Sequence, residues 1–338
     1  MRLKVEPELC HPRHPGKTRS GARVETPHLL TIRRGFIVAR MVKHALVLRS
    51  SALSGAAPFV EITRPGLVAL VTATTAVGFV LAAPHDVDGW RLLATVIGTA
   101  LIGAAANAVN QSWEARWDAV MERTRNRPLP RGRISRRAAM IHAAVLAAVG
   151  LATLVTAVNL PSTGLALAAM LLYVLAYTPL KRRSTLCTPV GAIVGAIPPL
   201  IGWAAAGRGL DAGAWVLFVL LFLWQIPHFL AIAWLYRDDY ARAAFRMLPS
   251  VDPCGRLTCG MVVLYTLALL PASAAVAMVG LSGWVYLCGA AVLGAGSLAL
   301  AVRFYRERSD TAARIVFVGS ITYLPLLLGL MVADPTRL

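Results

Sequence analysis

Three polar residues recur at intervals of four where a long apolar stretch of this chain ends. Asn110, Glu114 and Asp118 follow the apolar stretch 92–108, and on a helix they would form one stripe. A cluster of arginines follows over residues 123–127. Such oxygen ligands suit a hard divalent cation, and arginines suit the oxyanion that the cation neutralises. The pattern predicts a magnesium–diphosphate site at a membrane boundary, and therefore chemistry on an isoprenoid diphosphate.

A second polar group lies at the end of a later apolar run. His228 and Asp239 are eleven residues apart, about three turns, so they share a face if the helix is continuous. Pro227 would loosen the turn beside His228 and free backbone carbonyls. Asp238 and Asp239 belong to a set of only 16 acidic residues, and they lie at the same predicted boundary as the stripe. Either of them could therefore help to hold one or two metal ions.

A third element is the segment that runs from Tyr177 to Lys181 and continues into two arginines. The two named residues are four apart and would present a hydroxyl and an ammonium from one helical face. Pro179 lies between them and makes the helix irregular. Lysine is a compact charge that suits a phosphate oxygen. We therefore predict that Tyr177 and Lys181 bind the diphosphate together with Arg123 and Arg127.

The composition indicates that most of the chain lies in a bilayer. Hydrophobic residues make up 57% of the 338 residues, charged residues only 15%, and the mean hydropathy is +0.64, which excludes an ordinary soluble domain. Nine apolar runs are each close to the roughly 20 residues that a membrane-spanning helix needs. The predicted spans are residues 66–83, 92–112, 138–158, 161–178, 189–206, 212–235, 258–279, 281–302 and 314–333.

The basic residues predict the orientation of these spans. With the N-terminus inside, every Lys and Arg except Arg91, Arg208 and Arg337 lies in an inward segment, so the C-terminus is predicted outside. The net charge of +18 is then an orientation signal and an attraction to anionic lipid, and no nucleic-acid partner is expected. All three polar groups fall on the inward side. A transporter would place ionisable groups near the midplane, so transport is a remote alternative.

The N-terminal part has a different composition. Residues 1–57 are basic and are predicted to be largely disordered or to lie on the membrane surface, whereas residues 58–338 form the membrane domain. Residues 28–60 contain no acid, a composition that organellar transit peptides share. Against an organelle stands the excess of 30 Arg over 4 Lys, with abundant Ala, Gly and Val, which is typical of GC-rich bacterial genomes. We therefore predict a bacterial cytoplasmic membrane, with the mitochondrial inner membrane as the alternative.

The chain resembles the UbiA-type intramembrane prenyltransferases over about residues 58–333. Their signature begins with an Asn, an acidic residue and an Asp at intervals of four, followed by Met-x-Arg-Thr and a further Arg. The corresponding residues here are Asn110, Glu114, Asp118, Met121, Arg123, Thr124 and Arg127. Further segments resemble the haem O synthase branch of that superfamily. They are residues 126–130, 181–183, 198–203, 224–229, 239–240 and 247–249. Four positions depart from the pattern. Gly66 stands where the family has a basic residue, and Trp117 stands where it has an aliphatic residue, Phe or Tyr. Ala244 replaces the usual Gly, and Arg246 replaces the usual Pro.

The resemblance implies an all-helical fold of nine membrane spans around a central cavity that opens to the cytoplasm. It implies transfer of a farnesyl group from farnesyl diphosphate to a vinyl group of haem B, with addition of water, to give haem O and diphosphate. Haem B would then be a substrate and Mg²⁺ the cofactor, and a haem A synthase is suggested as a partner. The alternative within the same fold is prenylation of a quinone precursor or a lipid, which would not need the Trp-Gln-x-Pro-His-Phe run.

This activity gives each candidate residue a role. The predicted metal ligands are Asn110, Glu114, Asp118 and Asp238 or Asp239, and the predicted catalytic set is Asn110, Glu114, Asp118, Lys181 and Asp239. The predicted haem-binding residues are Trp224, Gln225 and His228. The role of His228 stays open among a haem contact or axial ligand, a neighbour of the metal, and a hydrogen-bonded histidine packed in the bundle.

Overall fold

The described part of the chain, residues 56–83 and 85–336 of a computed structural model, folds into helices joined by short loops. In chain order the helices are α1 (Ala57–Thr63), α2 (Pro65–Ala82), α3 (Gly89–Asp118), α4 (Arg136–Ala157), α5 (Leu160–Leu180), α6 (Cys187–Ala205), α7 (Ala212–Leu235), α8 (Arg237–Arg242), α9 (Leu248–Val251), α10 (Arg256–Met278), α11 (Trp284–Glu307) and α12 (Asp310–Ala333). The predicted segment 1–57 lies almost entirely outside the described residues, so its character and its boundary stay predictions.

The structure confirms the nine predicted spans. Within the described residues, α2 to α7 and α10 to α12 are long and apolar enough to cross a membrane. The short connection between the seventh and eighth spans consists of residues 279–283, so the two apolar runs are separate helices. Helix α3 continues for 30 residues to Asp118, beyond the predicted end at residue 112. No Gly or Pro interrupts residues 104–118, so the sequence contains no helix breaker at the predicted end.

Polar capping residues set where several of these helices begin. In each case a side-chain oxygen accepts a hydrogen bond from a backbone N–H in the first turn, which satisfies a group that the helix itself leaves unpaired. The capping residues are Asp88 for α3, Ser135 for α4, Asn159 for α5, Asp211 for α7 and Ser309 for α12. The apolar runs are therefore divided into spans by local hydrogen bonding as well as by hydropathy.

Two glycines allow α2 and α6 to pack backbone against backbone. A Cβ atom on Gly78 would clash with the Pro199 carbonyl, and one on Gly202 would clash with the Thr75 carbonyl. Small residues at such positions are typical of helix packing in membranes, where close backbone contact replaces the hydrophobic driving force. Helices α2, α3, α5, α6 and α7 line a central cavity, to which α12 adds Leu324.

The orientation of the bundle stays a prediction that reporter fusions can test. A reporter fused after Arg133 or after Arg183 should report the cytoplasm, because both positions lie in the inward loops that carry most of the basic residues. A reporter fused after Leu338 should report the outside, since nine crossings separate the two termini. A cytoplasmic signal from the Leu338 fusion would mean that one of the nine helices does not cross.

Candidate active site

A cavity of about 370 Å³ occupies the centre of the bundle. This volume lies within the roughly 300–1,000 Å³ that is usual for small-molecule sites. Most of its wall is apolar, with side chains of Leu, Val, Ile and Ala. Its charged residues lie where α2 begins, where α3 and α5 end, and in the loop after α3; they are Arg64, Glu114, Asp118, Arg123, Arg127 and Lys181. The cavity therefore has a charged mouth at one end of the bundle and an apolar interior.

Lys181 and Glu114 form an ion pair at this mouth. The Lys181 Nζ donates to Glu114 Oε1 at 2.8 Å and to Oε2 at 3.2 Å, and both side chains are buried. The same ammonium lies 4.5 Å from the centre of the Tyr177 ring. A six-residue π-helical turn, Leu172–Tyr177, precedes this position, and such turns are frequent at functional sites. Tyr177 thus presents its ring face to the ammonium.

Asp118 is held by the loop that follows it. Its Oδ2 accepts a hydrogen bond from Arg127 Nη1 at 2.7 Å, and its backbone carbonyl accepts one from Thr124 Oγ1 at 2.9 Å. Asn110, two turns earlier on the helix, donates from Nδ2 to Thr178 Oγ1 at 2.9 Å. Three buried side-chain polar atoms of the described residues lack a hydrogen-bond partner, and two of them are Asn110 Oδ1 and Asp118 Oδ1. A buried oxygen without a partner is costly and needs an explanation.

These oxygens fit a hard cation. Carboxylate and amide oxygens are the donors that Mg²⁺ prefers, and this ion commonly takes one or two carboxylates, with substrate phosphates and water completing its shell. Among the described residues, no group of three or more His, Cys, Asp and Glu side chains comes together. The stripe on α3 therefore suits a cation that a bound diphosphate helps to hold, and it does not form a complete cage of protein ligands.

Asp239 lies on α8, where its carboxylate packs against the loop after α3, and it does not line the cavity. Its carboxylate accepts hydrogen bonds from the backbone N–H groups of Glu122 at 3.1 Å and Arg123 at 3.2 Å, and it pairs with Arg242. Asp238 is exposed. The helix is not continuous, because α7 ends at Leu235 and α8 begins at Arg237, so the condition for a shared face of His228 and Asp239 is not met. A metal role for either Asp238 or Asp239 stays a prediction.

The hydrogen bonds to Asp239 also affect its ionisation. Burial alone would raise the pKa of this carboxyl, but the two backbone N–H groups and the Arg242 guanidinium outweigh burial and lower the pKa below its usual range. The folded state therefore gains stability from the ionised Asp239 above the unfolded pKa of about 3.9. That contribution is lost as the pH falls through the lower, folded-state pKa.

Asp239→Asn is expected to lower the free energy of unfolding by about 1.5–3 kcal/mol at pH 7, because it weakens charge-assisted hydrogen bonds that hold the loop. Thermal unfolding should show this difference at pH 7, and the variant should converge with the wild type in acid. Asp238→Asn is the matched control and should unfold like the wild type, since Asp238 is exposed. If Asp238→Asn lost more stability than Asp239→Asn, then Asp238, and not Asp239, would be the carboxylate that holds the loop.

Arginines converge on the mouth of the cavity. Arg123 Nη2 donates to the Tyr240 hydroxyl at 3.0 Å, and its guanidinium lies over the Tyr236 ring at 4.7 Å. Burial, followed by the charge of Arg64, lowers the pKa of Arg127 despite the favourable contact with Asp118. Positive charges that repel one another in this way favour the binding of an anion between them. A diphosphate at this position would be neutralised, and its apolar tail would extend into the interior.

Arg64 was not among the residues predicted from the sequence. It lines the cavity, and its backbone adopts the left-handed conformation with φ 55° between α1 and α2. This conformation is uncommon for a residue with a side chain and is often associated with functional sites. The sequence signal that could have identified Arg64 is that a basic residue directly precedes Pro65, where the next helix begins.

The three predicted haem-binding residues all line the same cavity. Trp224, Gln225 and His228 lie on α7; Gln225 contacts α6, whereas Trp224 and His228 contact α12. The Gln225 amide is fixed by hydrogen bonds from its Nε2 to the Leu221 carbonyl at 3.0 Å and to the Ala192 carbonyl at 3.3 Å. The structure therefore brings this group and the charged mouth together in one cavity.

Two departures from the family pattern have structural consequences. Ala244 adopts φ 55°, the left-handed conformation that glycine accepts without steric cost, which explains the usual glycine at this position. Arg246 donates its backbone N–H to the Lys181 carbonyl at 2.7 Å, a hydrogen bond that a proline could not make. This chain thus carries strain at Ala244 and gains a direct link between the loop and Lys181.

Ala244→Gly is expected to raise the free energy of unfolding by about 0.5–1 kcal/mol. The gain comes from relief of the left-handed strain, partly offset by the greater flexibility of glycine in the unfolded chain. Ala243→Gly is the control: Ala243 has φ −82°, so this change should destabilise the protein. Equal effects of the two substitutions in thermal unfolding would contradict the strain at Ala244.

Comparisons with known proteins agree with this geometry. A family model described as the UbiA prenyltransferase family matches residues 71–325. The chain is 44% identical over 285 residues to the protoheme IX farnesyltransferase of Solibacter usitatus, which covers 82% of this chain and 98% of that protein. It is 44% identical over 268 residues to the human mitochondrial protoheme IX farnesyltransferase, which covers 78% of this chain and 59% of that protein.

Solved structures share the fold at low sequence identity. A structure concerning digeranylgeranylglyceryl phosphate synthase in membranes matches with a TM-score of 0.71 and 16% identity, over 84% of this chain and 99% of that chain. A UbiA homologue from Archaeoglobus fulgidus bound to GPP and Mg²⁺ matches with a TM-score of 0.58 and 14% identity, over 81% of this chain and 99% of that chain. The resemblance seen in the motifs is confirmed, and this multi-pass membrane protein belongs to the UbiA prenyltransferase family.

Proposed function

We propose that this chain is a protohaem IX farnesyltransferase that converts haem B, farnesyl diphosphate and water to haem O and diphosphate. Relatives with that name are 37–44% identical over about four fifths of the chain. The structural observation that carries the proposal is the shared cavity. Trp224, Gln225 and His228 line its wall together with the charged residues of the mouth, so one cavity offers both a diphosphate site and a pocket for a flat acceptor.

The reaction begins with heterolysis of the allylic C–O bond, which leaves a diphosphate and a delocalised farnesyl cation. Arg123, Arg127 and Lys181 bind the phosphate oxygens at positions fixed before the reaction, so they stabilise the charge as it develops. Mg²⁺ held by the oxygens of Asn110, Glu114 and Asp118 would supply Lewis-acid neutralisation of the leaving group.

The Lys181–Glu114 ion pair prepares the site for its ligands. While the cavity holds no substrate, each of these buried charges compensates the other at 2.8 Å. An arriving diphosphate offers Lys181 a new acceptor, and the Glu114 carboxylate is then released to act as a ligand. The pair therefore keeps two reactive charges at the mouth without leaving either unpaired.

The apolar interior governs the remaining steps. Its wall, which includes the stacked rings of Tyr173 and Tyr177 5.2 Å apart, excludes water from the allylic cation. The terminal vinyl carbon of haem B then bonds to C1 of the farnesyl group. The resulting cation beside the porphyrin ring takes up a water molecule, which loses one proton to leave the hydroxyl group of haem O.

Several finer points belong to the same proposal. Bacterial relatives and a mitochondrial relative both exist, and we propose the bacterial cytoplasmic membrane, with the mitochondrial inner membrane as the alternative. Docking of a haem A synthase on the inward face stays a prediction.

Transfer of a prenyl group to a quinone precursor or a lipid is the alternative activity, since the fold is shared with a structure concerning digeranylgeranylglyceryl phosphate synthase.

Mass spectrometry of haems tests the proposal. Expression of this chain in a bacterial strain that cannot make haem O should restore a haem whose mass corresponds to haem B plus one farnesyl group and one hydroxyl group. The strain with an empty vector is the control. Prenylated quinones or lipids in extracts that contain no haem O would overturn the proposed acceptor and support the alternative activity.

A further inference from the structure

The imidazole of His228 packs against two aromatic rings. The Trp224 ring stacks on it with centroids 5.2 Å apart and an interplanar angle of 20°, and the Phe317 ring lies 5.1 Å away at 33°. The histidine is half-buried and lines the cavity. The stacked Trp224 ring covers one face of the imidazole, and the ring nitrogens that can bind a ligand in the cavity lie at its edge.

Ser320 on α12 lies within hydrogen-bond distance of one ring nitrogen of His228. Its Oγ lies 2.8 Å from His228 Nδ1 and also donates a hydrogen bond to the Phe317 carbonyl at 2.7 Å. A serine hydroxyl has a single hydrogen; with that hydrogen on the Phe317 carbonyl, Oγ accepts at His228 and Nδ1 is the protonated nitrogen. A neutral imidazole with a proton on Nδ1 has a free lone pair on Nε2.

The Nε2 atom is available to a ligand. No hydrogen bond of the described residues ends on it, and it is not among the buried polar atoms that lack a partner, so it is accessible. The backbone carbonyl of Ser320 also accepts a hydrogen bond from Trp224 Nε1 at 2.9 Å. Ser320 therefore fixes both the histidine and the ring that stacks on it, and it holds Nε2 in a defined direction.

We propose that Nε2 of His228 is the axial ligand of the iron of haem B when haem binds as acceptor, and that Ser320 is the positioning residue that holds the required tautomer. The inference rests on the proposed function. Histidines that bind metals usually donate their second ring N–H to a fixed oxygen acceptor, which is the arrangement seen here. Coordination forms one Fe–N bond and releases no proton, because Nε2 already carries the lone pair.

Axial ligation would serve the transfer by fixing the porphyrin. The Fe–N bond sets the distance of the haem plane from α7, and the rings of Trp224 and Phe317 limit rotation of the imidazole. A haem bound in this way would lie in the same cavity as the mouth that contains Lys181 and Asp118. His228 and Ser320 thus supply orientation for a reaction that needs no protein nucleophile.

Titration of the purified full chain with two porphyrins separates ligation from packing. His228→Ala should weaken binding of ferric haem by about 100-fold, since even outer-shell partners of a metal ligand contribute roughly 10–100-fold. The same variant should bind metal-free protoporphyrin IX and farnesyl diphosphate as the wild type does. His142→Ala is the control, because His142, on α4, packs against Phe59 of α1 and does not line the cavity.

Spectroscopy provides a second readout. The wild-type ferric haem complex should show histidine ligation in its electron paramagnetic resonance and Soret spectra, His228→Ala should lose it, and added imidazole should restore it. Ser320→Ala should weaken haem binding by about tenfold and shift the Soret band, whereas Ser320→Thr, which keeps a hydroxyl, should not. These changes concern the spectrum, which a merely structural role of Ser320 would not alter.

The outcomes distinguish the inference from the proposed function. A wild-type spectrum without histidine ligation, or equal losses of haem and metal-free porphyrin in His228→Ala, would overturn the axial-ligand assignment even if haem O is made. Histidine-ligated haem in a protein that makes no haem O would retain the assignment and overturn the proposed transferase reaction. If His228→Ala does not fold, the wild-type spectrum and Ser320→Ala still decide.

Discussion

Asp118→Asn should abolish most turnover, by about 10²–10³-fold, while the nine helices remain folded. Asparagine keeps the size of the side chain but removes the negative charge that faces the site. One oxygen of Asp118 binds Arg127 at 2.7 Å, and the other is buried without a partner in the described part of the chain. A loss of this size is typical when one group that stabilises developing charge is removed. Glu114→Gln should behave in the same way.

Haem O measured by mass spectrometry, together with Mg²⁺-dependent binding of farnesyl diphosphate, checks this expectation. Both turnover and the Mg²⁺ dependence of binding should be lost in Asp118→Asn. Glu122→Gln is the matched control, because this carboxylate lies four residues later, is exposed and does not line the cavity. Near-normal haem O production by Asp118→Asn would contradict the magnesium assignment of the stripe.

The spans and the polar stripe could be predicted because they depend on local sequence. Hydropathy and length identify a membrane helix with no knowledge of its neighbours, and the spacing from Asn110 to Asp118 places three candidate ligands on one face of a helix. The structure adds that α3 itself extends through the stripe. These features were accessible because no contact between distant segments decides them.

Other features depend on tertiary contacts and could not be predicted. The sequence assigns Glu114 to a metal and Lys181 to a phosphate, but 67 residues separate them, and only the packed bundle shows that they are paired. The role of Asp239 depends on the break at Tyr236, which turns its carboxylate onto the loop after α3. Ser320 offers no motif of its own and becomes informative only beside His228.

Lys181→Met should have the second large effect, and on both stability and activity. Removing the ammonium leaves the Glu114 charge buried and unpaired, which is expected to cost about 3–5 kcal/mol of the free energy of unfolding. It also removes a cation that we propose binds the diphosphate. Arg183→Met is the control, since Arg183 follows two residues later and is exposed, so it should retain both stability and turnover.

The double variant Lys181→Met/Glu114→Gln separates the two consequences. With the lone buried charge removed, thermal unfolding should recover most of the stability lost in Lys181→Met, because a neutral pair no longer carries the desolvation cost of an unpaired carboxylate. Haem O production should stay absent, because the site still lacks both the cation for the diphosphate and the carboxylate for the metal. Recovery of stability without recovery of turnover would show that the pair has a catalytic role beyond its role in folding. Turnover restored together with stability would instead reduce Lys181 and Glu114 to a structural ion pair and remove them from the proposed mechanism.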